Sequence, residues 1–523
     1  MIAALVSQVG GGSGASGFPG PLVHPHVEYS ALLPELILMG GALVILTLSA
    51  MIRRQSRPGL YSSMTMLVGA ASGIAAVWEW HHFKLPGGAR RAVVDAIAVD
   101  GFSIFVMLVI ASAVVIGALV ADSYLPREGL DGPEFYVLAL FSASGGMLMG
   151  AANDLLVLFL GLEILSIALY VMAGFHRRRA ESGEAAMKYF VLGAFSSALF
   201  LYGVALTYGA TGTTNLAEIA TFLAENVIVH NGVLLAGMVL LFVGLGFKVA
   251  AVPFHAWTPD VYQGSPTPAT AFMAAAAKAA GFAGLLRVFF STFTTLRSDW
   301  QPIVWVVAVV TLLVGAVLAV VQTDIKRMLA YSSISHAGYV LIGLQAASKR
   351  GIAGALYYLM AYTFMVLGSF AVVTVVGRKG DSDHSLEAYR SLAGRRPVLA
   401  FTFTVLLLAQ AGVPFTTGLW AKFYVISAAV ETGKGGGYVL AVIGMLAAAI
   451  SAFFYLRVTV LMYMADPAEA GEGEGDATAD AKPVIRVPIG VATALLITLA
   501  FTIVFGIVPD PVIHFANKAT LLF

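Results

Sequence analysis

The stretch FVGLGFKVAAVPFHAWTPDVYQGSPTP, residues 242–268, decides the fold. It opens as an apolar helix, carries Lys248 at the depth of a hydrocarbon core, and meets Pro253 soon after. Proline steps recur at Thr258-Pro259 and Ser265-Pro266-Thr267-Pro268. A lysine at the centre of a spanning helix costs roughly 2.5–3.5 kcal/mol on insertion scales. Proline removes one backbone donor and frees a carbonyl one turn back. Lipid satisfies neither group, so this segment is expected to face protein or water inside the bilayer. Broken helices with a charge at mid-depth are where transporters place ion sites.

The composition agrees. Of 523 residues, 59% are hydrophobic and 11% charged, against about 25% charged in soluble domains. This is an integral membrane protein. A net charge of +1 gives no case for nucleic acid as a partner. The absence of cysteine excludes thiolate ligation of Fe–S clusters or zinc, and disulfides. Residues 1–30 read as an extracytoplasmic Gly/Ser-rich tail, since they lack a basic n-region and a long apolar run.

Crossing about 30 Å of hydrocarbon takes roughly 20 apolar residues. Fourteen such runs are expected, near 31–52, 60–81, 101–121, 134–151, 154–175, 185–209, 231–252, 268–291, 301–321, 325–346, 351–376, 398–430, 437–463 and 487–508. The twelfth is long, and Gly412-Val413-Pro414 interrupts it. Most loop cations, including Arg53, Arg54, Arg177, Arg178, Arg179, Arg395 and Arg396, fall in odd-to-even loops. The positive-inside rule then places both termini outside the cytoplasm. Residues 465–485 form an acidic Gly/Ala-rich linker, expected to be disordered and cytoplasmic.

Val252-Pro253-Phe254 in span seven recurs as Val413-Pro414-Phe415 in span twelve. The offset is five helices, an odd number, so two such units would be inverted relative to each other. Paired broken helices in inverted repeats are a transporter architecture.

Ionisable residues inside spans are the candidate site. Glu163 lies too deep for its short side chain to reach water. It is either a protonated acid bonded to a backbone carbonyl or a carboxylate paired with a buried lysine. Lys248 is its natural partner. A pair 4 Å apart at an effective dielectric of 20 is worth about 4 kcal/mol. Lys278 shares a helical face with Ala271, Ala274 and Gly281, small enough for a helix or a file of water to approach. Lys422 follows Pro414 and could instead snorkel outward. His336, among Ser332, Ser333 and Ser335, can relay protons or simply bond a neighbouring helix. His255, just past the first break, is expected to line the same cavity. Arg287 and Arg457 read as anchors near helix ends. Lys188, Lys326 and Arg327 read as loop charges, and Asp154 as interfacial. A file of Glu163, Lys248, Lys278 and Lys422 would carry protons across an apolar medium. No nucleotide-binding loop, metal-ligand cluster or nucleophile–base signature stands beside it.

The pattern Lys248-x4-Pro253-Phe254-His255-x-Trp257-x-Pro259-Asp260, followed by Val261-Tyr262-Gln263-Gly264, resembles the antiporter-like membrane subunits of respiratory complex I. Supporting segments are NDLLVLFLGLEILSIALY (153–170), EAAMKYFVLGAFSSALFLYG (184–203) and TDIKRMLAYSSISHAGYVLIG (323–343). The wording PDVYQGSPTP, a lysine at 422 and an end at Phe523 resemble the N-type subunit more than the L or M types. The resemblance implies an all-α polytopic fold of about fourteen spans. It divides into spans 1–3 (31–122), inverted five-helix repeats at 134–291 (spans 4–8) and 301–464 (spans 9–13), and a last span within 486–523. It also implies proton translocation coupled to NADH oxidation and quinone reduction in other subunits. NADH, FMN, Fe–S clusters and quinone would then belong to those partners, with no cofactor or metal in this chain. Glu163 would be the fifth-helix glutamate, Lys248 the seventh-helix lysine, Lys278 the connecting lysine and Lys422 the terminal one. The implied setting is a bacterial plasma membrane. The alternative is an Mrp-type cation/proton antiporter subunit.

Overall fold

The computed structural model describes residues 27–51, 59–226, 231–377, 381, 383–433, 435–464, 486–519 and 521. The acidic linker, most of the N-terminal tail and the basic residues at 53–57 lie outside them. The first half holds helices α1 (Tyr29–Met51), α2 (Leu60–His82), α3 (Gly101–Glu128), α4 (Glu134–Ala151), α5 (Leu155–Ala173) and α6 (Ala180–Thr211). A short α7 (Leu216–Glu225) leads to the broken element, α8 (Gly232–Val249) and α9 (Trp257–Gly264). Then come α10 (Thr267–Thr292), α11 (Thr294–Val320), α12 (Ile325–Gln345) and α13 (Lys349–Val376). A second broken element is α14 (Pro397–Ala411) and α15 (Thr417–Glu431). The chain closes with α16 (Gly435–Met464), α17 (Ile489–Ile507) and α18 (Asp510–Lys518). A small antiparallel hairpin, β1 (Arg90–Ala92) and β2 (Ile97–Val99), joins α2 to α3.

Among the described residues, twelve helices are long and apolar enough to cross a membrane. The helix α12 is long enough but is made more polar by Lys326, Arg327, three serines and His336. Helices α10 and α13 run through the middle. The whole apolar window of α10 and 94% of that of α13 are buried, against 33% in α1 and α17. The outer helices present Phe190, Phe195, Tyr202, Leu446 and Phe453 outward. Lipid solvates such side chains, so they are an outer coat and not a defect.

Lipid tails are as apolar as leucine, so helices associate here by close packing rather than by hydrophobic expulsion. Gly145 of α4 backs directly onto the α5 backbone at Gly161 and Leu165, leaving no room for a Cβ. Gly315 of α11 does the same against α12 at Tyr331 and Ser335. A second pair of features repeats at the same spacing. Asp154 caps α5, and its segment bridges to Asn215. Asp324 caps α12, and its segment bridges to Ser385.

Two charges sit differently from their sequence-based expectation. Arg287 is no surface anchor but is fully buried. Its guanidinium grips both oxygens of Asp100 at 2.9 and 3.0 Å and donates to the Gly150 carbonyl at 2.9 Å. Asp100 is also the N-cap of α3, in a capping box with Ser103, so one carboxylate ties the start of α3 to α10. Lys326 is no loop charge either. It is fully buried and donates to the Ser265 carbonyl at 2.6 Å. Both partners are distant in sequence, which local reading cannot see. Arg457 does act as an anchor, donating to the carbonyls of Val320 and Gln322 at the end of α11.

Removing one member of a buried ion pair strands the other charge, at a cost of roughly 3–5 kcal/mol. Arg287→Ala should therefore lower the thermal midpoint of the solubilised protein sharply. The double change Arg287→Met with Asp100→Asn should recover most of the loss, as thermal denaturation in detergent would show.

Candidate functional site

The first break is satisfied by protein. Helix α8 ends where Ala250 takes a left-handed conformation, φ +62. The amides of Ala250 and Ala251 fold back to the Phe247 and Gly246 carbonyls. Trp257, at the start of α9, reaches across the gap and donates its indole N–H to Phe247 O at 3.0 Å. The Val252 amide finds the Thr311 hydroxyl of α11 at 3.0 Å. The break thus costs little unsatisfied backbone, and Trp257 stacks on the Tyr189 that accepts from Lys248.

Lys248 is buried, and its ammonium donates to Ser166 Oγ at 2.8 Å and Tyr189 OH at 3.1 Å. Glu163 lies one turn before Ser166 on α5. It is half-buried, and its Oε1 has no hydrogen-bond partner. Glu163 is near enough for its charge to be felt at Lys248. Among the described residues, however, no ion pair joins the two. The lysine stem lies against Gly281 of α10, where an added Cβ would stand 3.2 Å from Lys248 Cγ.

A π turn at Met273–Ala277 immediately precedes Lys278. Such a turn inserts one extra residue into the helix, which rotates the next turns about the axis. Lys278 donates to both the carbonyl and the hydroxyl of Ser333 on α12. The Tyr362 ring lies 5.6 Å from the same ammonium. Ser333 is thus the node where α10 and α12 meet.

His336 lies one turn further along α12. Its Nδ1 is 2.6 Å from Tyr358 OH and its Nε2 is 3.2 Å from Tyr455 OH. Tyr455 also bonds the Ser332 hydroxyl and reaches Gln410 Oε1 at 3.5 Å. Tyr339, on the same helix as His336, stacks on Tyr358 at 5.9 Å. Lys422 is buried and does not snorkel. Its ammonium caps the Ala411 carbonyl at 2.7 Å, across the second break, and sits 4.9 Å from the Tyr339 ring. Gly412, φ +95, leaves the space its stem occupies.

Of the expected residues, the structure therefore places Lys278 and His336 one turn apart at α12, and Lys422 reaches them through the Tyr339 and Tyr358 rings. Lys248 stands apart with Ser166 and Tyr189; Tyr189 stacks on Trp257, which meets Tyr262 edge-on. His255 is half-buried, its Nδ1 has no partner, and among the described residues no hydrogen bond ties it to the lysines. Sequence alone does not single out the phenols, because tyrosine in an apolar helix carries no distinguishing signal.

A second cluster closes one end of the bundle. Asp381 is buried between Lys326 (3.9 Å), Arg179 (3.4 Å) and Arg127 (3.9 Å). It accepts from Tyr124 OH at 2.6 Å and from the Thr267 amide, at the start of α10, at 3.3 Å. Burial pushes its carboxyl up, but Lys326, His384, the Tyr124 hydroxyl and Arg179 outweigh that and hold it below the usual carboxylate range. Neighbouring His384 is pushed down to about 3 by burial and by the Lys326 charge, against which Asp381 pulls the other way. Beside the cluster, Asp260 pairs with Lys188 and Arg327, both at 2.7 Å.

A family model described as NADH:quinone oxidoreductase/Mrp antiporter, transmembrane, matches residues 152–451. The chain belongs to that family. As a member, it is 43% identical over 498 residues to NADH-quinone oxidoreductase subunit N of Trichlorobacter lovleyi, covering 95% of this chain and 98% of that one. The namesake subunit of Acidothermus cellulolyticus is 42% identical over 533 residues. That covers 97% of this chain and 98% of that one. A chain of respiratory complex I from Thermus thermophilus with bound aureothin superposes with TM-score 0.75 at 31% identity. It covers 92% of this chain and 98% of its own. A chain of the Mrp complex from Dietzia sp. has TM-score 0.81 at 20% identity over 94% of this chain and 96% of its own, a likeness of fold. The resemblance first read around Lys248 is thus borne out for the family.

The acidic cluster and the Lys248 stem can each be tested. An unfolded histidine titrates near 6.5 and an aspartate near 3.9. The folded state holds His384 neutral and Asp381 ionised, so their contribution is complete above about pH 6.5. It declines as the pH falls, first through His384 and then through Asp381. His384→Phe should shift the acid-denaturation midpoint to lower pH, read by loss of helical circular dichroism. Gly281→Val should displace the Lys248 stem and reduce activity more than stability, which comparing turnover with thermal midpoint would reveal.

Proposed function

We propose that this chain is a proton-translocating membrane subunit of an NADH–quinone oxidoreductase, of the N type. It would conduct protons without a redox centre of its own, while partner subunits oxidise NADH and reduce quinone. The observation that carries this reading is the buried His336, bonded to Tyr358 and Tyr455 one turn from the Ser333 that holds Lys278, in a chain 43% identical to a subunit N.

Counting α12 and the α14–α15 pair as spans gives a fourteen-span protein with inverted repeats at 134–291 and 301–464. The recurring contacts support this. Gly145 and Gly315, and the capping Asp154 and Asp324, stand at matching places in the two halves. At the same spacing, Ser333 answers to Glu163 and His336 to Ser166. Spans 1–3 and the last span would flank the repeats, with the 465–485 linker on the cytoplasmic side. The setting is the plasma membrane of a bacterium, with both termini extracytoplasmic.

In the proposed mechanism Lys248 exchanges its ammonium between Ser166–Tyr189 and Glu163, one helical turn away. Paired with Glu163 it holds its proton, and beside the neutral hydroxyls, away from the carboxylate, it releases it. Lys278 passes protons through Ser333, His336 relays them between Tyr358 and Tyr455, and Lys422 delivers them at the second break. Redox events in partner subunits would act by shifting the Glu163–Lys248 balance. His255 is left as a lesser relay candidate.

Lys248→Arg is a discriminating variant, because arginine keeps the charge but does not deprotonate in proteins. In the assembled complex, Lys248→Arg and His336→Gln should each cut proton pumping about tenfold or more, equivalent to a barrier rise of roughly 1.4 kcal/mol. Undiminished pumping in proteoliposomes by either variant would refute their roles. The antiporter alternative predicts cation/proton exchange by the isolated membrane protein without redox partners, which the same vesicles would detect.

A further inference from the structure

Away from the lysine file, a cavity of about 490 Å³ opens at one end of the bundle. Three chain segments meet there: the turn from α10 to α11, the turn from α12 into α13, and the terminal helix α18. Phe290, Ile352 and Leu521 give it apolar walls, and Arg297, Lys349 and Asn517 give it polar ones. Among the described residues, no aspartate or glutamate lines it.

Its two cations lack, among the described residues, the carboxylate partners that several other cations of this protein have. Asp260, Asp381, Asp100 and Glu431 neutralise Lys188, Arg327, Lys326, Arg287 and Arg350. Neither Arg297 nor Lys349 has an ion-pair partner among the described residues. Arg297 rests over the Phe290 ring at 5.5 Å, with its Nε buried and without a hydrogen-bond partner. Lys349 is exposed into the opening. Two unneutralised cations sharing one cavity repel each other, and an anion between them removes that cost.

The surroundings limit which anion. Helix α18 is amphipathic, burying Ile513 and Ala516 while showing Asn517 and Lys518 to solvent. It comes directly after the spanning helix α17, the position of an interfacial helix. From Arg297, α11 runs into the apolar region. An anion here has an aqueous side and an acyl-compatible side. A guanidinium and an ammonium together suit phosphate, the first by paired N–H donors and the second as a point charge.

We propose that this cavity binds the phosphate headgroup of an anionic phospholipid, with Arg297 and Lys349 on the phosphate and the acyl chains directed into the hydrocarbon. The site is independent of the proton reading and stands or falls separately.

The test is electron cryo-microscopy of the assembled complex in nanodiscs of phosphatidylglycerol, in nanodiscs of phosphatidylcholine, and in detergent with millimolar inorganic phosphate. Headgroup density touching Arg297 and Lys349, continuous with acyl density, is expected in phosphatidylglycerol alone. It should vanish in the Arg297→Gln, Lys349→Gln double variant, whose own map reports whether it is folded. An empty cavity in phosphatidylglycerol overturns the proposal. Equal filling by phosphatidylcholine overturns the role of charge, and filling by free phosphate without acyl density overturns the lipid source.

Discussion

A backbone group or charge placed in hydrocarbon must find its partner within the protein, because lipid offers none. Everything distinctive in this structure answers that constraint. Two helices are broken at mid-depth, and at each break a side chain from beyond the gap closes an open carbonyl. Trp257 does so for Phe247, and Lys422 for Ala411. The first closure is an indole that only packs and donates. The second is an ammonium, so the same structural task is performed by a group that can also release a proton. On the proposed mechanism, stability and transport share that residue.

The buried charges divide by how completely they are answered. Arg287 with Asp100, and Lys326 with Asp381, are matched by carboxylates and hold helix ends together. Lys248, Lys278 and Lys422 are matched only by hydroxyls, phenols and carbonyls. A carboxylate partner would fix an ammonium in its charged form. Neutral acceptors leave its charge open to change when a nearby charge moves. The lysines that lack a carboxylate in contact are therefore the ones suited to carry protons. Asp381 connects the two classes, since it also receives the amide at the start of α10, the helix that carries Lys278.

Much of this is legible in the sequence, and the reasons are physical. Proline inside a long apolar run announces a broken helix, and both breaks stand where Pro253 and Pro414 imply. Depth along a span is readable by counting residues, so Lys248, Lys278 and His336 are identifiable as buried and Glu163 as deep in its span. Direction around the helix is not. The π turn before Lys278 changes that direction without any residue to announce it. Glu163 and Lys248 are expected in contact, yet the ammonium rests one turn away on Ser166. Arg287 and Lys326 look like helix-end charges because their carboxylates come from segments far along the chain. The phenol network around His336 is invisible for the same reason, being assembled from four helices.

The central claim is a connected polar route from Ser166 to Ala411, and its weakest link is the aromatic stack of Tyr189, Trp257 and Tyr262. The most direct measurement is a map of the assembled complex at a resolution that shows ordered water. The account predicts water molecules bridging Tyr189 to the Ser333 node and Ser333 to His336, giving an unbroken file between Lys248 and Lys422. A dry, closely packed gap at Tyr262 in every functional state would contradict it.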